Sequence, residues 1–550
     1  MPFVTNYPGN VFPGGEMNLT EMWLSGAGFL LAVLLSLLIV FYLFKLLLVK
    51  KGKQFFAFLI SVWHSVRQAT ADNPDVQKLV GRHPIFFQFI KRRLDRSNFS
   101  GLPLTLLVFA FVYVLSLFGG IVEGIITSDP IVAVDVSIAN LLAAFRSAEL
   151  TKIFLGITAL GVWQVILVFG TAAIGVLWLW RQRLYITPLL LTVIGSAIFT
   201  QLGKIAFHRP RPKVALFIEH SFSFPSGHAT VAMAFYGFLT YVLLQKTKPW
   251  KLKVNILFLG VLIILLIGFS RLYLGVHYVS DVWGGYLIGA LWLIIGISIS
   301  GWMQSRKGGP VASAPPAKAG LMSTALILVS LLFYTGFAGA YHPPLSQAPA
   351  SRKETVASNI KEIFSDNQLK YTETPAGEKE EPLSFIIVVR NDAQLIEFFR
   401  QAGWLLADKV SAYSVMKIAR AVLLKQSYPT APMTPSFWNS EVNDFGFEKA
   451  TDANNARQRH HVRFWRTNYL TPGGKHIYVG TASFDSGIQW GVVHKINPDI
   501  DAEREFLYED LRKTKRIVQS QKEQFVKPVL GENFFGDPFF TDGKVYIIKL

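Results

Sequence analysis

The sequence has 550 residues, of which 51% are hydrophobic, 16% are charged and none is cysteine. The absence of cysteine excludes disulfides, cysteine-ligated iron–sulfur clusters and thiolate zinc sites. The formal net charge is +18, but residues 341–550 hold 27 basic and 25 acidic side chains, so almost all of the excess lies before residue 341. A basic excess confined to short loops between apolar runs indicates membrane orientation and argues against nucleic-acid binding.

Apolar runs of about 20 residues, the length that spans bilayer hydrocarbon, recur through the N-terminal part of the chain. The predicted spans are Leu24–Val49, Leu102–Ile126, Ile153–Trp180, Ile186–Phe207, Ala229–Leu244, Val254–Phe269, Val282–Trp302 and Leu321–Ala340. The first run is too long for a removable signal peptide, and it is followed rather than preceded by lysines. We therefore predict a polytopic, all-α membrane helix bundle with eight spans.

Basic side chains lie in alternate loops, which sets the expected orientation. They are concentrated in Lys50–Arg96, Arg181–Arg183, Lys246–Lys253 and Arg306–Lys307. The positive-inside rule makes these loops cytoplasmic, so the N-terminus and the intervening loops face outward. With eight spans, the C-terminal region also lies outside.

The chain after the last span is polar and predicts a soluble domain. Proline-containing linkers are predicted at Ser305–Gly320 and His342–Ser351. Beyond them, a strand at Ser384–Val389, a helix at Ala393–Gly403 and a strand at His476–Ala482 are typical of an α+β or α/β class, of which we favour α+β. The predicted division is an N-terminal span with a basic segment at 1–101, a membrane core at 102–303, a linker with the last span at 304–351, and a soluble domain at 352–550.

Three polar clusters lie at the predicted outer ends of spans, where a membrane protein avoids charge unless function requires it. They are Lys204–Pro212, Phe224–His228 and Ser270–Asp281. Because the predicted orientation puts all three on the same face, helix packing can bring them together.

The side chains in these clusters suit a phosphoryl group. Lys204, Arg211 and Arg271 supply three positive charges, and guanidinium groups pair with phosphate oxygens. Ser226 and Gly227 precede an apolar helix, so their backbone N–H groups can point at an anionic oxygen, and glycine permits close approach.

Two histidines are left for proton and phosphoryl transfer. They are His228 and His277, and Asp281 follows His277 by four residues. That spacing is about one helical turn, so the carboxylate can bind an imidazole N–H and fix its tautomer.

Together, the patterns Lys-x6-Arg-Pro, Pro-Ser-Gly-His and Ser-Arg-x5-His-x3-Asp resemble the signature of the type-2 phosphatidic-acid phosphatase and vanadium haloperoxidase superfamily. The resemblance covers about 102–302 and implies a six-helix lipid-phosphatase core to which the other spans are added. It implies that His277 attacks phosphorus, that Asp281 orients it and that His228 protonates the leaving group. The phosphoryl oxygens would be held by Lys204, Arg211, Ser226, Gly227 and Arg271. No metal or other cofactor is implied, because the cationic side chains neutralise the charge of the transition state.

Three further side chains lie near the signature without matching it. For His208, Arg209 and His220 we predict positions in loops or at the rim of the substrate site rather than catalytic roles.

The soluble region carries a second resemblance, without a biochemical role attached to it. Arg457–Arg466, with His494 and Asp499–Arg504, resembles the C-terminal domain named after the secretion-associated protein LssY, over about 370–550. One hypothesis is a metal or phosphate site formed by His460, His461, His494, Asp499 and Asp501. The alternative, which we favour, is that these are alternating strand residues and a solvated helix face.

We therefore expect a metal-independent phosphatase that acts on a lipid phosphate or diphosphate at the outer face of a bacterial inner membrane. Phosphatidic acid, phosphatidylglycerol phosphate and undecaprenyl diphosphate share the recognised group. Alternatives are a lipid phosphotransferase, or a secretion or transport accessory protein whose C-terminal domain binds protein partners. A haloperoxidase is disfavoured, because eight spans are an unusual setting for halide oxidation.

Overall fold

The computed structural model describes residues 26–128, 130–306, 316–344, 354–424, 426, 428–451, 458–489, 493–533 and 536–550, without the side chains at 412, 419, 422, 423, 488, 489, 493 and 494. Most of both predicted linkers falls outside these residues. The chain divides into a helical unit, Leu35–Thr127 with Thr151–Leu345, and a sheet unit, Met1–Leu34 and Ser128–Leu150 with Ser346–Leu550. The four-part division of the sequence remains a proposal.

Long apolar helices account for most of the chain before residue 345. They and their shorter connecting helices are α1 Gly26–Asp72, α2 Pro74–Arg82, α3 Pro84–Arg93, α4 Leu102–Thr127, α5 Pro130–Ala144, α6 Ala148–Ala159, α7 Trp163–Leu179, α8 Ile186–Phe207, α9 Gly227–Lys246, α10 Trp250–Tyr273, α11 Val279–Arg306 and α12 Ala319–Ala340. Seven of the described helices are long and apolar enough to cross a membrane, and the count reaches eight if α6 and α7 form one bent span. The predicted polytopic helix bundle is confirmed.

The third predicted span, Ile153–Trp180, is not one continuous helix. It breaks between α6 and α7, which meet at 45°. A Cβ atom on Gly161, inside the break, would lie 2.9 Å from Cδ2 of His228, so a side chain there would collide with the imidazole. The hydroxyl of Tyr236 donates to the Leu160 carbonyl at 2.8 Å, which satisfies a backbone group that the break frees inside an apolar bundle.

Small residues let α11 pack closely against α9. A Cβ atom on Gly285 would lie 2.6 Å from the carbonyl oxygen of Ser226, and one on Gly289 would lie 2.5 Å from that of Thr230. Glycine allows such approach between membrane helices, where packing rather than the hydrophobic effect drives association. The contact joins the start of α9 to the first turns of α11, which carry residues of the second and third polar clusters.

The sheet unit is built on a mixed sheet. Its strands are β1 Thr355–Val356, β2 Tyr371–Glu373, β3 Lys379–Pro382, β4 Phe385–Val389, β5 Leu405–Leu406, β6 Phe437–Trp438, β7 Glu441–Val442, β8 Phe445–Ala450, β9 Arg459–Leu470, β10 His476–Gln489, β11 Val493–Ile496, β12 Gln519–Gln524, β13 Val529–Glu532, β14 Pro538–Thr541 and β15 Lys544–Lys549. The main sheet runs β12-β15-β4-β10-β9-β8-β5, with β1 beside β9 and β11 beside β10. Its helices after residue 353 are α13 Ile360–Ile363, α14 Asp392–Gln401, α15 Ala412–Leu424 and α16 Ile500–Lys513.

The two faces of the main sheet differ in character. One face packs under α14 and α16 through side chains that include Leu395, Phe399 and Leu507. The other face is apolar around Trp438 and Trp465 but becomes charged along β8, β9 and β10. The predicted α+β class of the C-terminal region is confirmed.

Candidate active site

His277 and Asp281 meet where α10 gives way to α11. Gly275 turns the chain with a φ of 67°, a conformation that glycine adopts without strain, and Asp281 lies in the first turn of α11. Nδ1 of His277 lies 3.4 Å from Oδ2 of Asp281, the contact that a four-residue spacing predicts. Both side chains are buried, so the carboxylate is shielded from water and acts mainly on this imidazole and its own partners.

Asp281 is itself held by three groups. Its Oδ2 accepts hydrogen bonds from the Tyr278 backbone N–H at 2.8 Å and from the Ser223 hydroxyl. Arg209 forms a buried ion pair with Oδ1 at 2.8 Å. A buried carboxylate needs such compensation to remain charged.

The other nitrogen of His277 faces an arginine. Nη1 of Arg211 lies 3.3 Å from Nε2 and also donates to the Val276 carbonyl at 2.6 Å. Because a guanidinium group can only donate, Nε2 carries the lone pair and Nδ1 carries the proton. Burial lowers the pKa of His277, and the charges of Arg211 and Arg271 lower it further, so the ring is neutral at physiological pH.

Arg211 and Arg271 share a carboxylate that no sequence pattern indicates. Glu219 lies 2.5 Å from Arg211 and also pairs with the fully buried Arg271, which donates to the Thr158 hydroxyl at 3.0 Å. Burial alone would raise the pKa of Glu219, but the positive charges of Arg271 and Arg211 hold it below its usual range. Glu219 therefore occupies, as an anion, the position predicted for phosphoryl oxygens.

Lys204 completes the positive side of the site. Its ammonium group donates to the Phe222 carbonyl at 2.7 Å and to the Ser221 hydroxyl at 2.9 Å. Nε of Arg211 donates to the Ser221 carbonyl at 2.8 Å, so the same short segment holds two of the three cations.

The Pro-Ser-Gly-His segment is placed differently from what we expected. The backbone N–H of Ser226 donates to the Asp281 carbonyl at 3.0 Å, so it does not point at an oxyanion, because α11 packs too closely here. A Cβ atom on Gly227 would make an ordinary 3.6 Å contact with Thr200, so no protein neighbour requires a glycine here, and its close approach to a phosphoryl group stays a prediction. The Ser226 hydroxyl is buried without a hydrogen-bond partner among the described residues and is the group left for a ligand.

His228 lies in the first turn of α9. Its Nε2 is buried and accepts or donates no hydrogen bond within the described part of the chain. Glu219 interacts electrostatically with both His228 and His277, so its carboxylate lies within electrostatic range of both side chains. An imidazole with an unused nitrogen beside an anion site is suited to proton transfer.

His208, Arg209 and His220, which were predicted to lie in loops or at the rim of the site, all lie in loops, but Arg209 points inward. It is buried, donates to the Ser280 hydroxyl at 2.6 Å and binds Asp281, because the turn after α8 directs it inward. His208, which ends α8 with a φ of 47°, and His220 are both exposed. The loop position predicted for Arg209 is therefore confirmed, whereas its buried contact with Asp281 was not predicted from its place between His208 and a proline.

The histidines of the sheet unit do not form the hypothesised cluster. His460 and His461 are consecutive residues of β9 and therefore face opposite sides of the sheet; His460 binds Glu503 at 2.8 Å, and His461 lies 3.3 Å from Asp485. Asp499 caps α16, the side chain of His494 lies outside the described residues, and the described residues contain no group of three or more side chains placed to hold a metal.

Removing the charge of Glu219 tests its competition with phosphate. We expect Glu219→Gln to lower the inhibition constant of inorganic phosphate by about tenfold, because the amide pairs more weakly with Arg211 and Arg271 than the carboxylate does. Inhibition of phosphate release would be compared with that in Glu123→Gln, a change elsewhere in the helical unit. An unchanged or higher inhibition constant would show that Glu219 does not occupy the anion site.

Arg209→Gln tests the buried ion pair behind the imidazole. Breaking a buried pair costs about 3–5 kcal/mol because the remaining charge is left uncompensated. We expect a clear fall in thermal stability together with a lower kcat, whereas the exposed neighbour His208→Gln should change neither. An Arg209 variant with unaltered stability and kcat would mean that Asp281 does not depend on this guanidinium.

Sequence comparisons identify relatives of both parts of the chain. Residues 185–304 match the PAP2 superfamily and residues 365–545 match the LssY C-terminus. The chain is similar to phosphatidylglycerophosphatase B of Bacillus subtilis (strain 168), with 33% identity over 181 residues, which are 32% of this chain and 88% of the relative.

Two solved structures are also similar in sequence. One is a transmembrane PAP2 type phosphatidylglycerolphosphate phosphatase from Bacillus subtilis, with 30% identity and a TM-score of 0.31 over 35% of this chain and 94% of that one. The other is Aquifex aeolicus LpxE, with 28% identity and a TM-score of 0.24 over 29% of this chain and 92% of that one.

Proposed function

This chain belongs to the PAP2 superfamily, and from that membership we propose that it removes phosphate from lipids with His277 as the nucleophile. The observation that carries the proposal is the pair of contacts on one imidazole. Asp281 lies 3.4 Å from Nδ1, and Arg211 lies 3.3 Å from Nε2. The neutral ring is thereby fixed with its lone pair directed toward the arginine that would hold the substrate.

Substrate binding exchanges one anion for another. The phosphoryl group takes the place of Glu219 between Arg211 and Arg271, with Lys204 and the Ser226 hydroxyl as further donors. The cations are fixed by Thr158, by the Val276 carbonyl and by the 221–222 segment before substrate arrives. Such preorganised charge stabilises the transition state of phosphoryl transfer without reorganisation during the reaction.

The first chemical step forms a phosphohistidine. The Nε2 lone pair of His277 forms a bond to phosphorus while the bond from phosphorus to the leaving oxygen breaks, and His228 gives that oxygen a proton. The Nδ1 proton remains on the ring and is shared with Asp281, which balances the positive charge of the phosphorylated imidazole.

The second step hydrolyses the phosphohistidine and regenerates the free enzyme. His228, now neutral, takes a proton from water while the water oxygen bonds to phosphorus and the bond from phosphorus to Nε2 breaks. Inorganic phosphate leaves, and both histidines recover their starting protonation states. Arg209, Ser223 and the Tyr278 N–H keep Asp281 in place through the cycle.

The membrane setting limits the substrate to a lipid whose phosphate reaches the ends of α8, α9 and α10. Phosphatidylglycerol phosphate is the first candidate, because it is the substrate that the name of the relative phosphatidylglycerophosphatase B gives. Phosphatidic acid and undecaprenyl diphosphate present the same group. The test is phosphate release by the purified chain from these three lipids in the presence of EDTA. Release that survives chelation supports the proposal, and no release from any of them contradicts it.

We place the site on the periplasmic side of a bacterial inner membrane, because the basic loops lie at the other ends of the spans. The cysteine-free sequence allows a direct test with single introduced cysteines. Val518→Cys, exposed in the sheet unit, should react with an impermeant maleimide in intact cells, and Lys248→Cys should react only after lysis. The reverse pattern would place the sheet unit in the cytoplasm.

A further inference from the structure

The sheet unit contains a second group of buried charges, which the phosphatase mechanism does not use. It lies on the face of β8, β9 and β10 opposite α14 and α16, with one contribution from β3. We call it the β8–β10 charge cluster: Glu381, Glu448, Arg459, His461, Arg463 and Asp485. All but Arg463 are at least nine-tenths buried, and Arg463 is partly exposed, which connects the cluster to solvent.

Strand register brings these side chains together. His461 lies opposite Glu448 on β8 and opposite Ser483 on β10, while Arg459 lies opposite Asp485. The alternation of β9 puts Arg459, His461 and Arg463 on one face. Most of the residues beside them are small, among them Gly446, Ala450 and Thr481, and the side chain of Met433 packs over Gly446 next to Arg463.

Contacts within the cluster centre on the imidazole of His461. Its Nδ1 lies 3.3 Å from Asp485, and its Nε2 lies 3.2 Å from Nη1 of Arg463. Arg459 bridges Asp485 at 3.0 Å and Glu448 at 2.7 Å. The ring is therefore oriented by a carboxylate on one nitrogen and faces a guanidinium on the other.

The same arrangement exists in the helical unit. There Nδ1 of His277 lies 3.4 Å from Asp281 and Nε2 lies 3.3 Å from Arg211. In both places a second arginine binds the aspartate, and in both an additional glutamate pairs with one of the arginines. The folds are unrelated, so the likeness is one of local chemistry.

We propose that the β8–β10 charge cluster is a second oxyanion site, which binds the phosphoryl group of a phosphate ester or inorganic phosphate between Arg463 and His461. A cluster that served only to hold the sheet together would satisfy its own charges. Oε2 of Glu448 is instead buried without a hydrogen-bond partner in the described residues, and in the protonated acid its O–H can donate to an oxyanion.

Protonation of Glu381 and Glu448 makes the net charge of the cluster positive, which favours binding of an anion. Burial raises the pKa of Glu381 to about 7 and that of Glu448 to about 8. In their neutral forms they leave Arg459, Arg463 and Asp485 as the charges, a net positive set. Glu380 and Tyr428 are the other ionisable neighbours. Phosphate affinity should therefore fall as pH rises through this range, because both acids then become anionic.

Counting phosphate sites on the whole 550-residue chain tests the inference independently of the phosphatase mechanism. Equilibrium dialysis with radiolabelled inorganic phosphate in detergent should give two sites for the unmodified chain and one for Arg463→Gln. The control Arg466→Gln removes the same charge from the other face of β9 and should retain both sites. Arg211→Gln should also leave one site, that of the sheet unit.

The outcomes separate the two proposals. If Arg211→Gln loses a site and Arg463→Gln does not, the second site is overturned and the catalytic site stands. If Arg463→Gln loses a site and Arg211→Gln does not, the catalytic anion site is overturned and the second site stands. A thermal melt that matches that of Arg466→Gln would show that Arg463→Gln is folded. Competition by glycerol 3-phosphate identifies the source of the ligand: stronger competition than by inorganic phosphate indicates a lipid headgroup, and weaker competition indicates the released product.

Discussion

Replacing His277 by alanine should reduce kcat for phosphate release by at least about 10⁴-fold, because the change removes the nitrogen on which the proposed covalent intermediate forms. Lys204, Arg211 and Arg271 remain in the variant, so substrate should still bind. The measurement is phosphate release from phosphatidylglycerol phosphate under single-turnover and steady-state conditions, with EDTA present. Substrate protection of the variant against thermal unfolding would show that binding persists.

His220→Ala is the matched control, since it removes an exposed histidine from the loop that carries Glu219. It should retain nearly full activity. A His277→Ala variant that releases phosphate as fast as this control would remove His277 from the mechanism, whatever its contacts.

Asp281→Asn should be the second most damaging change, with kcat lower by about 10³–10⁴-fold and KM little changed. The amide keeps the shape of the carboxylate, but it cannot stabilise the positive ring that forms when His277 is phosphorylated. It can also present its N–H to Nδ1, which favours the tautomer with the proton on Nε2 and so removes the nucleophilic lone pair.

The loss should reflect chemistry rather than substrate affinity, so kcat and KM need to be measured separately. Asp75→Asn, at the exposed start of α2, is a suitable control for the substitution. A large rise in KM with an unchanged kcat would assign Asp281 to substrate binding and contradict the positioning role.

The predicted architecture and signature residues follow from patterns that are local in sequence. Spans are set by length and apolarity, so Ile186–Phe207 was predicted with the bounds of α8. The contact between His277 and Asp281 follows from one helical turn. Because Lys204, Arg211 and Arg271 lie next to span ends on one face, the helix bundle brings them to a common site.

The parts that sequence patterns did not predict depend on packing between distant segments. Glu219 lies in a loop, and nothing local indicates that its carboxylate fills the gap between Arg211 and Arg271. The inward turn of Arg209 depends on where α11 places Asp281. The break beside Gly161 depends on the imidazole of His228, which lies far along the chain.

In the sheet unit, alternation predicted the strands but not which charges share a face with partners on neighbouring strands. His460 and His461 are adjacent in the sequence and were hypothesised to share a site, but the pleat of β9 directs their side chains to opposite faces of the sheet. The register of β9 with β8 and β10 then places His461 close to Glu448 and Asp485. Pairing between strands that are distant in sequence is not encoded in any short pattern.

The central claim is that phosphate passes through a covalent bond to His277 at the outer ends of α8 to α11. The most direct test is rapid mixing of the purified chain with a lipid carrying radiolabelled phosphate, followed by an alkaline quench that preserves phosphohistidine. Peptide mass spectrometry should then find the phosphoryl group on the imidazole of His277 in the unmodified chain. The labelled fraction of the protein should increase when hydrolysis of the phosphohistidine is slowed. Label on another residue, or turnover with no labelled protein at any time point, would contradict the account.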